Sequence, residues 1–201
     1  MLGAMRLFVA LDIDEEIRNK IAHFVHDVSG LAPQARWVSS ESLHVTLKFI
    51  GEKPDAMVDA IRSALDSISG EPFRVSFRGC GFFPTAKSAR VFWIGIEADS
   101  GLATLAQAIE STLAERGIPE EKREFSPHLT LARASGGSGA PAWRKGDRPN
   151  RQFAVLQSRL AAAPEFGTMT AGEFCLYRSQ LSPKGSRYTK IARFPLALPA
   201  P

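Results

Sequence analysis

The chain has 201 residues, of which 44% are apolar and 23% charged; that balance excludes wholesale disorder and supplies a core that needs no disulfide or metal to hold it. No apolar run approaches the ~20 residues of a membrane helix, and the opening MLGAMRLFVALDIDEE lacks a basic leader joined to a long apolar stretch, so neither a membrane span nor a signal peptide is expected. The net charge of +4 is uneven: residues 1–132 hold 14 Lys+Arg and 18 Asp+Glu, whereas 133–201 hold 11 and 3, which favours an anionic partner such as phosphate or RNA, although a solvated basic face also accounts for it.

Arg6–Asp12 reads as a first strand. Asp14 is placed to cap a helix with apolar stripe Ile17, Ile21, Phe24, Val25 and Val28, ended by Gly30. Trp37 and Val38 start a second extended stretch. Leu43–Ile50 then alternates, with Leu43, Val45, Leu47 and Phe49 on one face and His44, Thr46, Lys48 and Ile50 on the other, until Gly51 closes the strand. A helix after Pro54 carries Val58, Ile61, Leu65 and Ile68. Strands follow at Phe73–Phe77 and Arg90–Glu97, then a helix capped by Ser100, bearing Leu102, Leu105, Ile109 and Leu113 and stopped by Gly117.

Pro127–Arg133 alternates again, with Leu129 and Leu131 opposite His128 and Thr130. Residues 134–149 are rich in Gly, Ser and Pro and read as a flexible surface loop. A short helix around Phe153, Leu156 and Leu160 precedes two strands near Thr168–Tyr177 and Tyr188–Phe194, which flank the turn Ser182-Pro183-Lys184-Gly185. Strands and helices mix without a βαβ rhythm, and no Gly-rich nucleotide fingerprint follows the first strand; the expected class is α+β with antiparallel sheets. Cys80 and Cys175 are too few and too far apart for a disulfide framework and read as free thiols in a reducing cytoplasm.

The feature that carries chemistry is a repeat: Leu43-His44-Val45-Thr46-Leu47 recurs as Pro127-His128-Leu129-Thr130-Leu131. With 8 Thr and 18 Leu in the chain, two of four histidines acquire Thr at +2 and Leu at +3 by chance about once in ten thousand, on residue frequencies alone. In a strand, residues i and i+2 share a face about 6.6–7 Å apart, so each motif offers an imidazole beside a hydroxyl. If the strands lie together about a pseudo-twofold axis, two His and two Thr enclose one small site. That array suits a phosphodiester: one neutral imidazole takes a proton from water, a protonated one gives a proton to the departing oxygen, and hydroxyls steady the phosphoryl oxygens. Nothing supplies further zinc ligands at recognisable spacing, so no metal and no cofactor is expected. His23 and His26 lie three apart on the first helix without a repeated partner and read as surface residues.

At these residues the chain resembles the two-histidine (2H) phosphoesterases, and more narrowly the bacterial RNA 2′,3′-cyclic phosphodiesterase (2′-5′ RNA ligase) family. The likeness runs from Arg6 nearly to Phe194 and includes Arg6–Leu11, Trp37-Val38, His44–Gly51, Phe82-Phe83-Pro84, Arg90–Trp93, Phe125–Arg133 and Leu176–Ser179. It implies a bilobal α+β fold spanning 1–201 as one domain, with two antiparallel sheets flanking a central cleft and helices outside. It implies metal-independent hydrolysis of a terminal 2′,3′-cyclic phosphate on RNA to a 2′-phosphate, with His44 as general acid and His128 as general base, and a reverse 2′-5′ ligation. It also implies Arg133 near the phosphate, although alternation alone puts Arg133 on the face opposite His128. Phe49 and Phe125 are candidates to stack a base or to pack in the core.

Two other readings stay open. One keeps the chemistry on small cyclic nucleotides or an ADP-ribose cyclic phosphate; a closed neutral pocket would favour it over RNA. The other is an RNA-binding module without turnover, whose expected signature is loss of a motif His or Thr. A cytoplasmic monomer, with no membrane partner, is expected.

Overall fold

A computed structural model describes residues 3–135, 150–160, 163–182 and 185–197. Along the chain it forms β1 (Ala4–Leu11), α1 (Glu15–Ser29), β2 (Arg36–Trp37), β3 (Val45–Pro54), α2 (Val58–Asp66), β4 (Phe73–Phe83), β5 (Val91–Ala98), α3 (Ser100–Ala114), β6 (His128–Arg133), α4 (Ala154–Arg159), β7 (Glu165–Ala171), β8 (Glu173–Ser182) and β9 (Gly185–Pro195). The strands make two sheets, ordered β3-β1-β8-β9 and β2-β6-β5-β4-β7, and every pairing is antiparallel. The fold is α+β, as expected. The sheets draw on interleaved parts of the chain: β2 lies between β1 and β3 in sequence yet joins the other sheet.

Each motif strand sits beside a central partner, β3 next to β1 and β6 next to β5. Strand β1 shows how the layers form. Its Leu7, Val9 and Leu11 enter the main core with Ile17 and Ile21 of α1, Ile61 and Leu65 of α2, Leu105 and Ile109 of α3, and Phe92 and Ile94 of β5. Its Phe8 and Ala10 point the other way, into a separate cluster with Cys175 and Tyr177. Helices therefore cover one face, and the second face is left for the site. No helix among the described residues is long and apolar enough to cross a membrane.

The cap of α3 is Asp99, not Ser100: its carboxylate accepts the Gly101 N–H at 3.0 Å, and an ionised side chain complements the helix dipole better than a hydroxyl does. The stretch read as one strand over Thr168–Tyr177 is two, split at Gly172 and placed in different sheets. Buried residues on both sides of the split, Met169 and Ala171 before it and Phe174–Tyr177 after it, hide that change of sheet from the sequence. Gly51 does not close its strand: β3 runs through it to Pro54, with φ +81° at Gly51 and Ile50 left without a ladder partner, a bulge for which glycine is suited. Ser182 and Gly185 pair across the last hairpin; Pro183 and Lys184 of the expected turn, and 136–149 of the expected loop, lie outside the described residues. Cys80 and Cys175 are free thiols.

Candidate active site

Both motif strands carry one unpaired leucine, and it decides which side chains meet. In β3, Val45 pairs with Leu11 and Thr46 with Ala10, but Lys48 pairs with Val9 and Phe49 with Phe8, so Leu47 has no partner. In β6, Thr130 pairs with Trp93 and Ala132 with Phe92, so Leu131 has none. An extra residue shifts every later side chain to the opposite face. Lys48 therefore falls on the core side, 3% exposed, where it bonds the Glu110 carboxylate of α3 and, at 3.0 Å, the Pro119 carbonyl. Phe49 falls on the side of His44 and Thr46, 64% exposed, with its ring 6.1 Å from Phe8. Strict alternation had put Phe49 with Leu43 and Leu47; the bulge reverses that. The same device turns Arg133 onto the face of His128 and Thr130, the inward turn that alternation alone denied it.

The two imidazoles are held alike. Nδ1 of His44 lies 2.8 Å from the Ser42 carbonyl, and Nδ1 of His128 lies 2.9 Å from the Ser126 carbonyl, each two residues back. A carbonyl only accepts, so Nδ1 carries the proton and Nε2 keeps its lone pair in the neutral ring. Around His44 stand Phe8 at 4.8 Å, Tyr188 edge-on at 5.1 Å and Tyr177 at 6.3 Å. Around His128 stand Phe83 edge-on at 5.0 Å and Trp93 at 6.5 Å.

Burial pushes His44 down to about 4, against the Ser42 bond; the charges of Arg133 and His128 lower it further, and Asp12 raises it. Burial also lowers His128, again with help from Arg133 and against the Ser126 bond. The Arg133 charge is thus felt by both rings, and β3 and β6 are in contact. Burial also disfavours the charge on Arg133 itself; Tyr188 offsets this and Arg36 adds to it. Among the described residues, Arg133, Thr46 and Thr130 make no side-chain hydrogen bond or ion pair. The motif face thus carries a cation and two hydroxyls with unspent donors, beside two imidazole Nε2 atoms with free lone pairs.

Phe125 is partly buried against the main core, unlike Phe49. His23 and His26 are exposed on α1. Asp12, Glu173 and Cys175 have ligand atoms within 4.8 Å of one another. Asp12 already accepts from the Tyr177 hydroxyl and the Lys190 ammonium, Glu173 faces Arg193 at 3.6 Å, and burial pushes the Cys175 thiol up to about 11, so the group reads as a hydrogen-bond network. Sequence reasoning missed Asp12, Phe8, Trp93 and Tyr188. The alternation of β1 was the available signal, since Phe8, Ala10 and Asp12 are the residues it turns away from the core.

The 2′-5′ RNA ligase superfamily matches residues 13–181. The chain is 34% identical over 190 residues to an RNA 2′,3′-cyclic phosphodiesterase of Archaeoglobus fulgidus, covering 94% of this chain and 99% of that one. It is 32% identical over 194 residues to a protein of the same name from Methanothermobacter thermautotrophicus, covering 96% and 99%. The crystal structure of E. coli LigT complexed with 3′-AMP superposes with a TM-score of 0.75 at 29% identity, covering 98% and 100%.

Proposed function

Since the chain belongs to the 2′-5′ RNA ligase superfamily, we propose that it is a cyclic phosphodiesterase that opens the 2′,3′-cyclic phosphate at an RNA end to a 2′-phosphate, without a metal. The observation that carries this is the twofold repetition of one device: an imidazole fixed through Nδ1 by the carbonyl two residues back, with Arg133 charging the space that both rings sense. The names of the relatives point to the same reaction.

In this reading the cyclic phosphate lies against Arg133, Thr46 and Thr130, whose donors hold the non-bridging oxygens as charge builds there. Water attacks phosphorus and the bond to the 3′ oxygen breaks. His128 takes the proton of the water through Nε2, and His44 gives a proton to the leaving 3′ oxygen. The free site disfavours protonated imidazole, so the anion itself supplies the balance: its charge offsets Arg133 and draws a proton onto His44. With a 5′-hydroxyl in place of water the same attack joins two strands through a 2′-5′ bond, His128 taking the proton of the hydroxyl and His44 protonating the 3′ oxygen, and the two rings exchange roles when that linkage is cleaved back to the cyclic phosphate. Phe49, exposed on the same face, stacks the terminal base. We read 1–201 as one catalytic unit acting as a monomer, because a single chain contributes both histidines, and we assign it to the cytoplasm, with which its free Cys80 and Cys175 thiols agree.

The test is an oligoribonucleotide ending in a 2′,3′-cyclic phosphate, incubated with the protein in chelator. A 2′-phosphate product supports the reading and a 3′-phosphate overturns its geometry. Turnover of small cyclic phosphates with none on RNA would transfer the activity to mononucleotides.

A further inference from the structure

We propose that Arg36 and Arg133 form a two-phosphate clamp, in which Arg133 takes the terminal cyclic phosphate and Arg36 takes the phosphodiester that precedes it. The site is then built for the end of a strand, not for a lone nucleoside cyclic phosphate. The inference rests on the reading above for the place of the terminal phosphate and adds a second anion subsite to it.

Strand β2 is two residues long. It pairs Arg36 with Arg133 and Trp37 with Ala132. Trp37 belongs to the core side: its ring meets Phe92 edge-on at 6.0 Å, and its indole N–H donates to the Ala32 carbonyl at 3.2 Å. Arg36, its neighbour in the strand, projects from the opposite face. Residues directly opposite in an antiparallel ladder share a face, so Arg36 stands beside Arg133 on the side of His128. Like charges in that arrangement repel, and the Arg36 charge is one of those that disfavour the charge on Arg133. Neither guanidinium has an ion pair or hydrogen bond among the described residues.

Two adjacent arginines without a carboxylate oppose folding and favour a bound polyanion. Each guanidinium has a planar fork that matches one phosphate. The asymmetry between the motif strands has the same sense. β2 lies beside β6, whereas β3 is the last strand of its sheet. The added strand thus places a second cation only on the side that already holds Arg133. Five residues after the first motif histidine, the corresponding position is Phe49. Phosphate recognition is concentrated at one motif and aromatic surface at the other, which gives the cleft a direction along a strand.

The test measures binding, not turnover. Adenosine 2′-monophosphate and adenosine 2′,5′-bisphosphate are titrated into the full chain by calorimetry at fixed low salt, the 5′-phosphate standing for the preceding phosphodiester. The expected result is bisphosphate at least tenfold tighter than monophosphate in the wild type, a gap below threefold in Arg36→Ala, and an intermediate gap in Arg36→Lys, which keeps the charge and loses the fork. Equal affinities in the wild type, or a gap that survives in Arg36→Ala, would overturn the clamp. In phosphate-free buffer the Tm of Arg36→Ala should match or exceed that of the wild type, because a repulsion is removed; a lower Tm would assign Arg36 to the fold instead. A protein that shows the Arg36-dependent gap and hydrolyses no cyclic phosphate would fail the proposed function alone.

Discussion

Phe49 and Arg133 occupy the same position in two copies of one device. Each stands five residues after its motif histidine, and each is turned onto that histidine's face by an unpaired leucine, Leu47 or Leu131. Strict alternation separates i from i+5; one extra residue unites them. The two motifs thereby deliver a guanidinium on one side and an aromatic ring on the other.

Arg133→Gln should lower kcat/KM by roughly 100-fold, the scale of losing one donor aimed at developing charge. Phe49→Ala should raise KM by about 5- to 150-fold, since stacking one base is worth about 1–3 kcal/mol, with kcat nearly intact and Phe49→Tyr close to wild type. Steady-state kinetics on an RNA 2′,3′-cyclic phosphate separates the two. A pure kcat effect from Phe49→Ala would remove the stacking role.

The pH profile should split between the free and the loaded site. Burial and Arg133 hold both imidazoles below their ordinary value, His44 near 4. The kcat/KM profile follows the free enzyme and needs one ring protonated and one neutral, so its optimum should lie below pH 6.5. Once the anion is bound, its charge favours the protonated ring, and the kcat profile should extend to higher pH. Coincident profiles centred above pH 7 would contradict this electrostatic account.

Periodicity made the helices and the paired motifs legible, because burial of Ile17 and Ile21, or of Val45 and Leu129, repeats with the period of the element that holds them. It could not reveal the bulges. Leu47 and Leu131 look like ordinary core residues and are buried, yet their missing partners decide where Lys48, Phe49 and Arg133 point. Arg36 was illegible for another reason: its significance depends on ladder register with Arg133, 97 residues on, and no local pattern encodes register between distant strands. The split at Gly172 was hidden because buried residues stand on both sides of it, Met169 and Ala171 before and Phe174–Tyr177 after.

His44 should also make the fold acid-sensitive. In the unfolded chain an imidazole titrates near 6.5, whereas in the fold burial pushes it to about 4. The folded state therefore favours the neutral ring. Its contribution is complete above about pH 6.5 and is lost as pH falls toward 4, amounting to roughly 3 kcal/mol at the acid end. Urea unfolding from pH 7.5 to 4 should show a flatter pH dependence for His44→Gln than for the wild type. Parallel curves would mean that His44 is not held neutral by the fold.

Lys48 and Glu110 tie β3 to α3, and Glu110 also accepts the Glu121 N–H at 3.1 Å in the segment leading toward β6. The Lys48 side chain is almost completely buried and that of Glu110 mostly so. Lys48→Met alone should destabilise by about 3–5 kcal/mol, because it leaves a poorly solvated carboxylate without its cation. The double variant Lys48→Met/Glu110→Leu should recover much of that loss, since apolar replacements of similar volume remove the desolvation cost of both charges. Chemical denaturation of the single and double variants measures the coupling; additive losses would show that the pair does not act as a unit.

Asp12 breaks the twofold electrostatically. It stands one residue past the Leu11–Val45 pair, on the His44 side, and the ladder residue opposite His128 is Gly95. Burial would raise the Asp12 carboxyl, but bonds from Lys190 and Tyr177, with the charges of Lys190 and Arg18, hold it below its ordinary value. Its negative charge favours a proton on His44, and no side chain at Gly95 does the same for His128. At His44 alone, then, a carboxylate opposes the burial and the Arg133 charge that together leave the ring near 4 in the free site, and it helps the proposed donor gain its proton when the anion binds. Asp12→Asn should lower the His44 pKa further, move that of His128 much less, and depress kcat most strongly on the alkaline side. Imidazole titration by NMR reads the first two effects and the pH–rate profile the third. Equal shifts at both histidines would mean that Asp12 acts through the fold and leaves the roles of the two rings undecided by charge.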